Sequence, residues 1–167
     1  MAHPLVLGLF GDAASAAAAA RALRALGLPP HRVSIVARSH DAEGELADAA
    51  GASPGSELED SRAASRLGEL SAHLLAAVAL ALPGIGPIVA DGPLAAGLGE
   101  AAGHMAGGLA RTLERAGLTS NEATLWQGRI EGGAILVGAH VAREHASSAA
   151  DALRTNGAAV IREGTWP

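Results

Sequence analysis

The chain has 167 residues, a formal net charge of −5, a hydrophobic fraction of 49%, only 2% aromatic residues and no cysteine. This length suits one domain with a real core, and the scarcity of aromatic residues predicts a core built from closely packed small side chains. The acidic balance, without a block of Lys or Arg, argues against nucleic acid as a partner. The absence of cysteine excludes disulfides, thiol catalysis, iron–sulfur clusters and thiolate zinc sites.

The N-terminal residues 1–4 contain no basic region, and the apolar run at residues 5–10 is far too short for a signal peptide. These features predict a cytoplasmic protein. Membrane association is the alternative, because residues 74–90 are apolar over about the length of a membrane span. Proline and glycine at positions 83–87 interrupt that stretch, so we favour a buried helix followed by a turn.

Two Ala-rich segments, residues 19–27 and 149–157, match at six of their positions. Each segment lies between two short apolar runs, which predicts strand–helix–strand with Gly27 and Gly157 ending the helices. Two βαβ units in one chain predict an α+β fold with a ferredoxin-like split βαβ sheet.

The domain organisation follows from this repeat. We assign the first βαβ unit to residues 1–38 and a polar linker to residues 39–56. Residues 118–167 carry an amphipathic helix, which begins at the capping sequence around Thr119, and the second βαβ unit. All segments belong to one composite domain.

Residues 57–117 form an insertion, which we expect to be an apolar α-helical hairpin. Its predicted parts are a helix at residues 58–82, a turn at residues 83–93 and a second helix at residues 94–116. The turn is indicated by its Pro-Gly-rich sequence.

Two Glu-x-x-x-His pairs mirror each other across the predicted turn: Glu69 with His73, and Glu100 with His104. A spacing of four places the two members of each pair on one helical face. Antiparallel helices would bring His73 level with Glu100 and Glu69 level with His104. Carboxylate and imidazole ligands suit iron, manganese or zinc, and helical bundles build metal sites in this way.

Other interpretations of these four residues remain open. They could form two ordinary surface pairs at i and i+4, a buried proton-coupled pair, or, for His104, a haem ligand. The metal interpretation is favoured by charge, since no Arg or Lys lies within a helical turn of Glu100. A buried carboxylate without a partner is costly, and a metal would compensate it.

Glycine recurs every four residues at Gly99, Gly103 and Gly107. Such a stripe permits close approach of a second helix. It therefore predicts a homo-oligomer through this face, with packing against the chain's own sheet as the alternative.

The sequence also resembles a bacterial family of general stress or heat-induced stress proteins. The matching segments are residues 5–10, 33–36, 83–87, 92–96 and 132–137. They are spread over most of the chain, and the Pro-Gly-x-Gly-Pro segment at 83–87 is the most specific. The resemblance implies a fold and a stress-related setting, but no reaction and no catalytic residues.

Together these features predict a bacterial stress-type protein that binds a transition metal through Glu69, His73, Glu100 and His104. Iron is favoured, with a dinuclear centre across a dimer as one form, and a role in oxidative or metal stress is expected. The alternative is a non-enzymatic scaffold that associates with itself or with a membrane through the glycine stripe. Whether the chain is an enzyme is left open.

Overall fold

The computed structural model describes residues 2–38, 78–82, 86–102 and 108–167. The elements in chain order are β1 (His3–Phe10), α1 (Ala13–Ala25), β2 (Val33–Arg38), β3 (Val78–Leu82), β4 (Gly86–Asp91), α2 (Pro93–Ala102), α3 (Gly108–Arg115), α4 (Ser120–Glu131), β5 (Ile135–His140), α5 (Ala146–Thr155) and β6 (Val160–Trp166). Short 3-10 turns lie at Pro30–Arg32 and Arg143–His145.

The six described strands form one sheet in the order β3-β4-β2-β5-β1-β6. All neighbouring strands are antiparallel. Since β1 and β2 both run antiparallel to β5, they are parallel to each other, and β5 lies between them. In the same way β1 lies between β5 and β6. The two strand–helix–strand repeats therefore interlock, and the predicted α+β class is confirmed.

Helices pack on both faces of the sheet, and alternate side chains along each strand point to opposite faces. One face carries Leu5, Leu7 and Leu9 of β1 and packs under α2, α3 and α4. The opposite face carries Val6 and Phe10 and packs under α1 and α5. We call these the α2–α4 face and the α1/α5 face.

The local signals at helix ends are confirmed. Gly27 and Gly157 have positive φ angles of 91° and 97°, which L side chains rarely adopt. Thr119 caps α4: its hydroxyl accepts from the Glu122 N–H, and the Glu122 carboxylate accepts from the Thr119 N–H.

The insertion differs from the prediction. Residues 78–82 were expected to end a helix and residues 83–93 to form a turn, yet Val78–Leu82 is β3 and Gly86–Asp91 is β4. Ala and Leu alone fit a buried helix as well as a buried strand. Pairing decides between them here, since β3 pairs with β4 and β4 extends the sheet beyond β2. The remaining part of the predicted helix, residues 58–77, lies outside the described residues.

The second predicted helix, residues 94–116, corresponds to two described helices. α2 covers Pro93–Ala102 and α3 covers Gly108–Arg115, while residues 103–107 lie outside the described part. α2 packs on β2, β3 and β4 and also contacts α3. The described part of the insertion is thus a β-hairpin followed by helices, and the predicted helix–turn–helix is wrong at its turn.

Candidate functional site

The structure does not describe the side chains of the four predicted metal ligands. Glu69, His73 and His104 lie outside the described residues, and for Glu100 only the backbone position in α2 is described. Within the described ranges, no three His, Asp or Glu side chains converge so as to hold a metal ion. The metal site therefore stays a prediction.

Three polar side chains do meet inside the described part of the molecule. Ser34 on β2 and His140 on β5 are buried, with exposed fractions of 0% and 1%, and His3 on β1 is half-buried. The Ser34 hydroxyl lies 2.8 Å from Nε2 of His140, and Nδ1 of His140 lies 2.9 Å from Nε2 of His3. We call this arrangement the Ser34–His140–His3 chain.

Strand register brings these residues together. Leu5 pairs with His140, and Ser34 pairs with Gly138, two residues before His140 on the same side of β5. His3 lies on β1 two residues before Leu5 and faces the same way. All three side chains therefore emerge on the α2–α4 face, at the end where β1 and β2 begin and β5 ends.

The hydrogen bonds of the Ser34–His140–His3 chain continue from the sheet into α2. The backbone N–H of Leu94 donates to the Ser34 hydroxyl over 3.1 Å. Leu94 is in the first turn of α2, where N–H groups have no partner within the helix. Ser34 thus caps a helix from a distant strand, and Gly92, just before the helix, has a φ of 79° that lets the chain turn toward it.

The environment of His140 opposes a positive charge. Burial is the main cause that lowers its pKa from 6.5 to about 3, and the nearby charges of His3 and Arg32 act in the same direction. The Trp166 ring meets His140 edge-on, with 6.1 Å between centroids, and the Arg115 guanidinium lies 5.6 Å from the Trp166 centroid. His140 is therefore a neutral imidazole at neutral pH.

A serine hydroxyl bonded to a histidine can serve as a nucleophile when a substrate can reach it. Ser34 is completely buried, and its oxygen already accepts from Leu94. The geometry thus gives the Ser34–His140–His3 chain a different use: it joins β1, β2 and β5 to the first turn of α2.

The sequence alone gave little weight to these three residues. None of them is among the candidate site residues predicted from the sequence. The available signal was strand alternation, which puts His140 on the same side of β5 as buried Leu136. Pairing with Ser34 and His3 depends on the register between distant strands, which the sequence does not specify.

An open groove of about 620 Å³ lies at the other end of the sheet, where β1 ends and β5 begins. Leu9, Phe10 and three glycines are among its lining residues, and Arg129 is its one charged lining residue. The groove offers a cation and backbone groups, with no acid–base pair among its lining residues.

Comparison with protein-family models, with curated proteins and with solved structures gives no significant match. The resemblance to stress proteins therefore remains an expectation from the sequence. Within the described ranges, none of the helices has the length and apolar character needed to cross a membrane.

Proposed function

We propose that this chain is a metal-binding protein of the stress-protein type, with Glu69, His73, Glu100 and His104 as ligands and iron favoured over manganese or zinc. Its setting is the cytoplasm. The order β2-β5-β1-β6 of the four repeat strands supports classifying that part of the sheet as ferredoxin-like. No catalytic residue is part of the proposal.

The observation that carries the proposal is the pairing of β3 with β4. Val78 pairs with Ala90, so the chain that enters β3 and the chain that leaves β4 lie at the same end of this hairpin. The segment with Glu69 and His73 precedes β3, and the helix with Glu100 follows β4. The pairing supports the proposal because it starts both segments from the same end of one hairpin; the matched heights of the ligands no longer follow.

The composition of α2 adds a second argument. Glu100 is the single charged residue of α2, and this helix has no basic residue in its last turn. A ligand at this position needs a second segment to complete the site, and either residues 69–73 or another copy of the chain would supply it.

A second candidate function is a non-enzymatic self-associating scaffold. It is favoured by the exposure of Ala96, because Gly99 lies three residues later on the same side of α2. A helix side built from alanine and glycine permits close packing of two copies. The remaining glycines of the stripe, Gly103 and Gly107, lie outside the described residues.

Metal content tests the first function. The purified full chain is titrated with Fe²⁺, Mn²⁺ or Zn²⁺, and bound metal is measured by mass spectrometry. We expect about one metal per chain or per pair of chains, lost in His73→Ala, His104→Ala and Glu100→Gln. The matched controls are His31→Ala and Glu114→Gln, which change exposed side chains and should retain the metal.

Oligomer size tests the second function. Gly99→Leu is expected to dissociate the oligomer in sedimentation analysis, whereas Gly128→Leu, on an exposed and open position of α4, should leave it intact. A chain that is monomeric at all concentrations would contradict the scaffold function.

If no metal bound in any titration, the metal-binding function would be wrong.

A further inference from the structure

We propose that His3 and His140 form a proton-linked relay that sets the direction of the hydrogen bonds holding the first turn of α2 against the sheet. The relay has four members in contact order: the Leu94 N–H, the Ser34 hydroxyl, the His140 ring and the His3 ring. Its outer end is half-buried and its inner end is buried. Protons therefore reach it through His3.

The hydrogen bonds of the neutral relay run in one direction. The Leu94 N–H can only donate, so the Ser34 oxygen accepts from it. The Ser34 hydroxyl proton then goes to Nε2 of His140, whose remaining proton sits on Nδ1 and is donated to Nε2 of His3. The Leu94 N–H, the Ser34 hydroxyl and the Nδ1–H of His140 each have an acceptor in this arrangement.

Uptake of one proton reverses two of these bonds. A doubly protonated His3 ring donates through Nε2, so Nδ1 of His140 becomes an acceptor. In net balance the relay binds one proton from solvent: His3 ends with a proton on both ring nitrogens, and the single proton of His140 sits on Nε2 instead of Nδ1. His140 stays neutral but changes tautomer.

The reversal changes the environment of Ser34. Its oxygen now faces two donors, the Leu94 N–H and the Nε2–H of His140. Within the described residues these are the two hydrogen-bond contacts of the Ser34 hydroxyl. Its own proton then lacks an acceptor in a completely buried site, which weakens the hold on α2.

The surrounding charges place the added proton on His3. Arg32 from the first 3-10 turn and the positively polarised first turn of α2 lie near His140, and both disfavour a cation on its buried ring. Arg115 of α3 contacts the Trp166 ring, which in turn contacts His140. The half-buried His3 ring is the less costly location.

Nitrogen-15 NMR of the imidazole rings tests the relay directly in the full chain between about pH 5 and 8. We expect His140 to carry its proton on Nδ1 at the upper end and on Nε2 at the lower end, while remaining neutral. The change should share its midpoint with the titration of His3. Amide exchange at Leu94, corrected for intrinsic pH dependence, should accelerate severalfold over the same interval.

Variants separate the relay from a general effect of acid. His3→Phe should hold His140 in one tautomer and remove the acceleration at Leu94, whereas His31→Phe, at an exposed position, should preserve both. A single His140 tautomer throughout the titration of the unaltered chain would overturn the proposal. An unchanged tautomer switch in His3→Phe would do the same.

Discussion

Gly97 of α2 lies directly against the Trp166 indole, and a Cβ at this position would come within 2.8 Å of the ring carbon Cη2. Trp166 ends β6 and is buried, with Thr112 of α3 also near the point of contact. The absence of a side chain at position 97 therefore fixes how closely α2 approaches the edge of the sheet.

Gly97→Ala is expected to lower the free energy of unfolding by about 1 kcal/mol, because overpacking costs about 1–3 kcal/mol and the gain in helix propensity offsets about 1. Denaturant unfolding followed by tryptophan fluorescence measures the change. The matched control is Gly128→Ala in α4, where an added Cβ meets nothing within 4 Å. That variant should be stabilised, and equal effects of the two substitutions would contradict the packing argument.

Gly92→Ala should cost more, about 3 kcal/mol or above, since strain and overlap add at this position. Its φ is 79°, and a Cβ would overlap the carbonyl oxygen of Val33. Gly27 has a similar φ of 91° with open space around it, so Gly27→Ala isolates the cost of the backbone conformation. If urea unfolding showed the same loss of stability in both variants, the overlap with β2 would contribute nothing to the cost of Gly92→Ala.

Acid should destabilise the fold through His140. Its pKa is about 3 in the fold and about 6.5 when unfolded, so the unfolded chain binds the extra proton first as pH falls. The stabilisation is complete above about pH 6.5 and is lost between there and about pH 3, at about 1.4 kcal/mol per pH unit. Urea midpoints at pH 7 and pH 5 measure it.

His140→Gln is the control for this pH dependence. The variant should be less stable at pH 7 but should show a much smaller loss between pH 7 and pH 5. Hydrogen bonds lower the pKa values of Asp12 and Glu122, led by the Ser15 and Thr119 backbone N–H groups respectively, so these carboxylates affect stability at a more acidic pH than an unfolded histidine does. If the stability of His140→Gln fell as steeply between pH 7 and pH 5 as that of the unaltered chain, other titrating groups would be responsible for the effect.

Thr119→Ala is expected to lower the free energy of unfolding by about 1 kcal/mol through loss of the cap on α4. Thr119→Ser keeps the hydroxyl that accepts from the Glu122 N–H and should retain most of the stability. Thermal unfolding of the three proteins compares them directly. An equal loss in both variants would point to the Thr119 methyl group instead of the cap.

Features fixed by neighbouring residues were predictable from the sequence. The ends of the helices at Gly27 and Gly157, and the N-cap at Thr119, depend on local backbone chemistry. All three are confirmed. The repeat likewise predicted both strand–helix–strand units, because each carries its own hydrophobic pattern.

Features that depend on distant pairing were not predictable. The sequence of β3, Val78–Leu82, suits a helix equally well; it is a strand because it pairs with β4, which in turn pairs with the distant β2. The Ser34–His140–His3 chain depends in the same way on register: Ser34 and His140 are separated by 106 positions. The proposed ligands Glu69, His73 and His104 lie outside the described residues, so that part of the site remains a prediction.

The interlocked strand order has a consequence for biosynthesis. Both neighbours of β1 come from the last third of the chain, since β1 pairs with β5 and β6. A ribosome therefore releases this apolar N-terminal strand long before its hydrogen-bonding neighbours exist. A nascent chain that has not yet reached Ile135 exposes β1 to wrong partners, so chaperone capture during translation should matter more for this protein than for one built from local hairpins.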